Sequence, residues 1–298
     1  MVTDKLITKP ATDHAVGHII PRMNVGEWLK DAAKVLEANG ITTARLDALV
    51  LLEDVLGVDR THLLAEPDTE LTTDQQTKLT NLFNRRKAHE PLAYIRGRVE
   101  FYGRDFVITK GVLVPRPESE TIIDLFKELA SSEPLWQKRD RKLRIADVGT
   151  GSGALGITAA LEVPNCYVDL LEIDTDAIQT AQINVDKLTP SINVIKSDLL
   201  GGSSKDYDVL LCNLPYVPDK HKINQAAEHE PKVALFAGQD GLDLYRELFD
   251  QIKELDGRPL YLLFEAFPDQ HAELAKMADK VGYTLSQAKD FIVVFKST

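Results

Sequence analysis

The sequence predicts an α/β protein in which a mostly parallel sheet, covered by helices on both faces, follows a small all-helical domain. Three patterns carry this. From residue 143 onward, short apolar runs alternate with amphipathic helical stretches, as repeated β-α units require. From Val25 to Glu90 the apolar residues recur at helical spacing throughout. Between them, residues 91–114 are β-prone and broken by Gly97, Gly103 and Gly111, which reads as a β-hairpin joining the two domains.

Each element follows in order. Residues 1–24 are polar and aperiodic, with Pro10 and Pro21, and are expected to form a flexible tail. The first helix is set by Trp28, Leu29, Ala32, Ala33, Val35 and Leu36 and stops at Asn39-Gly40. Thr42 or Thr43 caps a second, whose apolar face is Leu46, Leu49, Val50, Leu52 and Val55. Asp59 caps a short third, and Thr72 or Thr73 a fourth from Asp74 to Lys87. The basic Arg85-Arg86-Lys87 falls in its last turn, where it complements the helix dipole. In residues 91–114, Tyr94-Ile95, Val99–Tyr102 and Asp105–Ile108 read as short extended segments. Pro117 and the acidic residues after it suit the start of a helix over about 118–130. The domain 115–298 then offers strands at Leu143–Asp147, Cys166–Glu172, Ile192–Lys196, Val209–Cys212, Pro259–Phe264 and Phe291–Phe295. Helices fall between them at Leu155–Leu161, Thr175–Lys187, Leu242–Lys253 and Pro268–Val281.

Composition narrows the function classes. The chain has 298 residues, 44% hydrophobic and 27% charged, which is ordinary for a soluble globular protein. No apolar stretch is long enough for a membrane span. Lys5 and Lys9 are not followed by an apolar core, so a secretory leader is not expected. Two cysteines, Cys166 and Cys212, cannot form a disulfide framework and suit a reducing cytoplasm as buried, inert thiols. A formal charge of −11 argues against a broad nucleic-acid footprint. No His/Cys/Asp cluster has metal-ligand spacing. A monomer is expected.

The chemistry concentrates at strand ends. The first strand runs into Gly149-Thr150-Gly151-Ser152-Gly153, a turn that lets backbone and ligand approach closely. Its spacing is not G-x-G-x-x-G, so the pyrophosphate fingerprint is not met, and no P-loop motif is present. The next strand ends in Glu172, about 20 residues on, where a carboxylate meets ribose hydroxyls in nucleoside-binding sheets. After the third, Asp198 can accept from an adenine amino group and Leu199 can pack on its ring. An adenosine ligand without a pyrophosphate points to S-adenosylmethionine. The fourth strand runs into Asn213-Leu214-Pro215-Tyr216. There the Asn213 side-chain oxygen can accept one N–H of a planar amide or amine, and the Leu214 carbonyl a second. Pro215 restricts residue 214 to extended backbone, and Tyr216 offers a ring face.

The ordered set of motifs resembles the HemK/PrmC family, the protein-(glutamine-N5) methyltransferases of peptide-chain release factors. In the helical half the matching stretches are Arg45-Leu46-Asp47-Ala48, Leu56-Gly57-Val58-Asp59-Arg60 and Arg85-Arg86. Next come Glu90-Pro91-Leu92-Ala93-Tyr94-Ile95, Phe101-Tyr102-Gly103 and Val112 to Glu120. The glycine loop, Asn213 to Tyr216, Glu230-Pro231 and Gly238-Gln239-Asp240-Gly241-Leu242 complete it. The resemblance covers about residues 26–298. It implies a Rossmann-like class I S-adenosylmethionine-dependent methyltransferase domain, a hairpin linker and a helical domain that recognises the release factor. It also implies that Gly149, Thr150, Gly151, Ser152, Gly153 and Glu172 bind the cofactor, with Leu199 beside adenine, and that Asn213, Leu214, Pro215 and Tyr216 hold the substrate glutamine. Asp198 and Asn213 complete the expected cofactor contacts. Three places depart from the family: Leu214 replaces a Pro, Phe264-Glu265-Ala266-Phe267 replaces a Glu-Ile-Gly-like stretch, and an Arg near the last strand is missing from Asp290–Phe295.

Three other functions fit parts of the pattern: adenine N6-methylation of nucleic acid, glutamine methylation of a ribosomal protein, and a non-enzymatic binding module on the same fold. The Asn-Leu-Pro-Tyr form also occurs in ribosomal RNA adenine dimethyltransferases. Of the seven histidines none lies in a motif, and His221 and His229 are expected at the surface.

Overall fold

A computed structural model describes residues 23–133, 136, 141–188, 191–203 and 206–298. The expected N-terminal tail lies, apart from Met23 and Asn24, outside them. The described residues form two compact units that divide between Lys87 and Ala88.

The first unit is helical: α1 (Val25–Ala38), α2 (Ala44–Leu56), α3 (Arg60–Ala65) and α4 (Thr73–Lys87). Three of its four helix starts are capped by side chains. Asn24 and Glu27 form a reciprocal capping box on α1, Asp59 accepts from the His62 N–H, and Thr72 exchanges hydrogen bonds with Gln75 before α4. Thr43 precedes α2 but spends its hydroxyl on Asp47 instead. Arg86, expected only to complement the helix dipole, does more. It is buried and meets buried Asp47 at 2.7 Å, tying α4 to α2.

The second unit opens with a one-turn helix, α5 (Leu92–Arg96), closed by Gly97 at φ 70°. The β-prone look of Tyr94-Ile95 gives way here because Pro91 starts a turn and Gly97 stops it. An antiparallel hairpin follows, β1 (Arg98–Phe101) with β2 (Arg104–Val107). Its Phe101 and Phe106 are buried in the same core as Ile122 and Phe126 of α6 (Glu120–Ser132). Buried Asn184 accepts from the Val107 N–H and donates to the carbonyls of Val107 and Ser152, joining the hairpin to the glycine loop.

The sheet contains β3 (Leu143–Val148), β4 (Cys166–Glu172), β5 (Asn193–Lys196), β6 (Val209–Cys212), β7 (Tyr261–Glu265), β8 (Tyr283–Lys289) and β9 (Ile292–Ser297), in the order β5-β4-β3-β6-β7-β9-β8. The first five are parallel, and β9 is antiparallel to both β7 and β8. The helices α7 (Ala154–Glu162), α8 (Thr175–Leu188), α9 (Asp243–Lys253) and α10 (His271–Lys280) connect and cover it. Successive residues of a strand enter opposite cores: Val209 and Leu211 pack on one face, Leu210 and Cys212 on the other. This is why the central strands read as unbroken apolar runs. Strand β8 escaped the sequence pattern because all of it after Tyr283 is exposed. Cys212 is buried as expected but Cys166 is only half-buried; burial pushes Cys166 up to about 11 and raises Cys212 too.

Candidate active site

The strand order reverses between β3 and β6, and the site lies beyond the carboxyl ends of these strands, where open α/β sheets bind ligands. The turn after β3 needs glycine. Gly149, Gly151 and Gly153 have φ of 69°, 57° and 82°, a region L-residues avoid. A Cβ on Gly149 would stand 2.8 Å from Leu214 Cδ2. The loop is pinned from beneath: buried Asp147 accepts from the Thr150 hydroxyl at 2.5 Å and from the Gly156 N–H at 2.8 Å. Burial raises the Asp147 carboxyl to about 6; the two donors oppose the rise, and the nearby Glu172 charge adds to it.

Glu172 ends β4 with its carboxylate turned into the loop. It accepts from the N–H groups of Gly151 at 2.9 Å, Ile173 at 2.8 Å and Asp174 at 3.0 Å. After β5, Leu199 is held at φ 49° while the Ser197 hydroxyl donates to its carbonyl at 2.7 Å. Asp198 is exposed beside it.

These loops enclose a cavity of about 350 Å³. Of the residues the sequence singled out, Gly149, Gly151, Glu172, Asp198, Leu199, Asn213, Leu214 and Pro215 line it. Thr150 and Ser152 line a smaller recess of about 60 Å³, and Tyr216 a recess of about 50 Å³. Gly153 instead caps α7, packed near Ile157 and Leu170. Asn213 borders all three spaces.

The Leu214 side chain is buried in the core with Val148 and Tyr245, so it serves packing and leaves only its backbone for ligand chemistry. Asn213 Nδ2 donates to Ser119 Oγ at 2.9 Å, and Ser119 donates to Glu265 Oε2 at 2.6 Å. Tyr216 donates to the other oxygen of Glu265 at 3.0 Å, and its ring meets Phe267 edge-on at 5.0 Å. Burial, then the Glu265 charge, raises the Tyr216 phenol. Gln270 donates to the carbonyls of Tyr216 and Asp240, both at 2.8 Å, and fixes the far side of the corner. His221 is exposed and packs on Phe267, and exposed His229 reaches the Ala88 carbonyl. Sequence reasoning passed over Ser119, Glu265 and Gln270 as site residues. Only the position of Glu265 just after an apolar strand, level with Asn213, could have signalled one of them.

The cavity suits S-adenosylmethionine. Its volume lies in the range of small-molecule sites, about 300–1,000 Å³. The glycine floor leaves room that a Cβ would fill, and Glu172 offers an acceptor at the strand end where a ribose would lie. Fold and site thus define a class I S-adenosylmethionine-dependent methyltransferase. Comparison with known proteins specifies the family. Residues 27–97 match the PrmC N-terminal domain and residues 130–234 the methyltransferase small domain. A release factor glutamine methyltransferase from Koribacter versatilis is 37% identical over 78% of this chain and 82% of its own. One from Coxiella burnetii is 35% identical over 86% and 91%. The chain belongs to the release factor glutamine methyltransferase (HemK/PrmC) family. Among solved structures, the hMettl16 catalytic domain bound to a MAT2A 3′UTR hairpin shares the fold, with a TM-score of 0.50 and 16% identity over 76% of this chain and 82% of that one. No described helix is long and apolar enough to cross a membrane, and no described cluster of His, Cys, Asp and Glu could hold a metal ion.

Proposed function

We propose that this protein methylates the side-chain amide nitrogen, N5, of the glutamine in the Gly-Gly-Gln motif of peptide chain release factors. The observation that carries the reading is the place of Asn213, which borders both the large cavity and the recess shared by Leu214, Pro215 and Tyr216. A donor in the first and an amide in the second would meet at this residue.

S-adenosylmethionine, when bound, supplies an electrophilic methyl group on a sulfonium. Gly149 to Gly153, Glu172, Asp198 and Leu199 would hold it. Asn213 Oδ1 and the Leu214 carbonyl accept the two N–H bonds of the glutamine amide. An amide nitrogen is a poor nucleophile because its lone pair is shared with the carbonyl. Two fixed acceptors aim that nitrogen and favour the positive charge that grows on it, by orientation and preorganised dipoles. Tyr216, held by Glu265, gives the amide a flat wall. No strong base is required, because the methylated nitrogen loses its proton after transfer.

In this reading the helical unit recognises the release factor, the protein acts in the cytoplasm, and one chain suffices, since every group named here comes from it. The net charge of −11 supports a protein substrate over a nucleic acid. The test is mass spectrometry of purified release factor after incubation with the protein and labelled S-adenosylmethionine. Gain of one methyl group on the Gly-Gly-Gln glutamine is expected. Label on ribosomal RNA, DNA or a ribosomal protein, with none on the release factor, would overturn the assignment.

A further inference from the structure

We propose that Ser119 and Glu265 are positioning residues that decide which way the Asn213 amide faces, and so make the site an acceptor of N–H bonds rather than a donor. The proposal deepens the reading above and rests on it for its kinetic test. An Asn side chain is nearly symmetric in shape, but one end accepts and the other donates. Packing alone cannot select between the two. In the wrong orientation the NH2 group would face the substrate amide, donor against donor.

With Glu265 ionised, the network permits one orientation. An ionised carboxylate only accepts. The Ser119 hydroxyl, 2.6 Å from Glu265 Oε2, therefore commits its single hydrogen there. What remains on Ser119 Oγ are lone pairs, so the Asn213 group 2.9 Å away has to be Nδ2. Oδ1 is thereby left on the other branch of the amide, free of Ser119. The second oxygen of Glu265 takes the Tyr216 hydroxyl at 3.0 Å, so one carboxylate orients both ends of the Asn-Leu-Pro-Tyr corner.

Topology explains how groups so far apart in sequence meet. Cys212 of β6 lies opposite Phe264 of β7, so the next residues, Asn213 and Glu265, emerge side by side at the carboxyl edge. Ser119 comes from a turn of 3-10 helix over Pro117–Ser119, where its N–H donates to the Arg116 carbonyl. Glu265 and Ser119 are both buried, so water does not compete for these bonds. Burial, with the nearby Glu118 charge, raises the Glu265 carboxyl above its ordinary value, and Ser119, Tyr216 and Arg116 oppose the rise by favouring the ionised form; Tyr245 bonds only its backbone carbonyl. On protonation the carboxyl could donate to Ser119, which would then be able to turn its hydrogen on Asn213 and reverse the amide.

Two measurements test this with Ser119→Ala and the hydroxyl-retaining Ser119→Thr, each checked for unchanged S-adenosylmethionine affinity. For methyl transfer to release factor, kcat should fall about 10- to 100-fold in Ser119→Ala, the usual range for groups that orient a ligating side chain from behind. Ser119→Thr should recover most of it. Side-chain amide NMR of the protein without acceptor should show one Asn213 Nδ2 proton shifted and protected from solvent exchange in the parent and in Ser119→Thr, and neither property in Ser119→Ala. An unchanged kcat in Ser119→Ala, or Asn213 amide signals alike in parent and Ser119→Ala, would overturn the proposal. If the release factor is not methylated but the NMR signature holds, the choice of substrate fails and the orienting role stands.

Discussion

Replacing Gly149 by Ala probes the contact between the glycine loop and the Asn-Leu-Pro-Tyr corner. Gly149 sits at φ 69°, and an added Cβ would lie 2.8 Å from Leu214 Cδ2. Two costs add. The left-handed backbone costs an Ala about 1–2 kcal/mol, and crowding a packed site costs about 1–3 kcal/mol. The variant should lose about 2–5 kcal/mol. At about 2–4 °C per kcal/mol for a domain of this size, its Tm should drop by several degrees or more. Leu214→Ala alone should cost about 2–5 kcal/mol, because buried Leu214 leaves a cavity. The double variant separates the two costs. With Cδ2 gone the crowding disappears and the backbone cost stays, so the pair should be less destabilised than the sum of the singles by about 1–3 kcal/mol. Urea denaturation of the four proteins closes the cycle. Additivity within about 0.5 kcal/mol would refute the claim that the loop and Leu214 are in tight contact.

Three further outcomes are expected. Asn213→Ala should lower kcat about 100-fold or more and leave S-adenosylmethionine affinity close to the parent's, read by labelled methyl transfer and calorimetry. Asp47→Ala should cost the helical unit about 1.5–3 kcal/mol, because it removes a charged hydrogen bond between two buried side chains, measured by chemical denaturation. Asp147 has its carboxyl raised from 3.8 to about 6, so between those values the native state holds the proton that the unfolded chain releases. Its contribution therefore falls as pH rises through that window. Relative to Asp147→Asn, the parent should lose up to about 3 kcal/mol between pH about 4 and about 7, at about 1.4 kcal/mol per pKa unit, visible as converging or crossing Tm curves.

What the sequence made legible was local. Runs such as Cys166–Glu172 and Val209–Cys212 announce buried strands because both faces of the sheet are covered. Asp59 and Thr72 announce helix starts because their side chains reach the backbone a few residues on. The glycine loop, Glu172 and Asn213 stood out because each ends or follows such a strand. What stayed hidden depends on distant partners. The Arg86–Asp47 pair needs α4 packed on α2, and the Ser119–Glu265 bond needs the register of β6 against β7. Tyr94-Ile95 misled because the turn around it is set by Pro91 and Gly97 and not by its own propensity. Strand β8 is polar because it covers an edge, so it carries none of the alternation that marks a half-buried strand.

The order of the sheet has a consequence for how such an enzyme can change. Apart from Asn213, everything proposed to grip the methyl donor ends or follows β3, β4 and β5, on one side of the reversal. The residues proposed to hold the acceptor follow β6 and β7 or come from the turn at Pro117–Ser119, on the other side. Beyond the pairing of β3 with β6, the two halves meet at the site where Leu214 lies against Gly149. A lineage can therefore redraw the acceptor half, trading one planar nitrogen for another, and inherit the donor half without alteration.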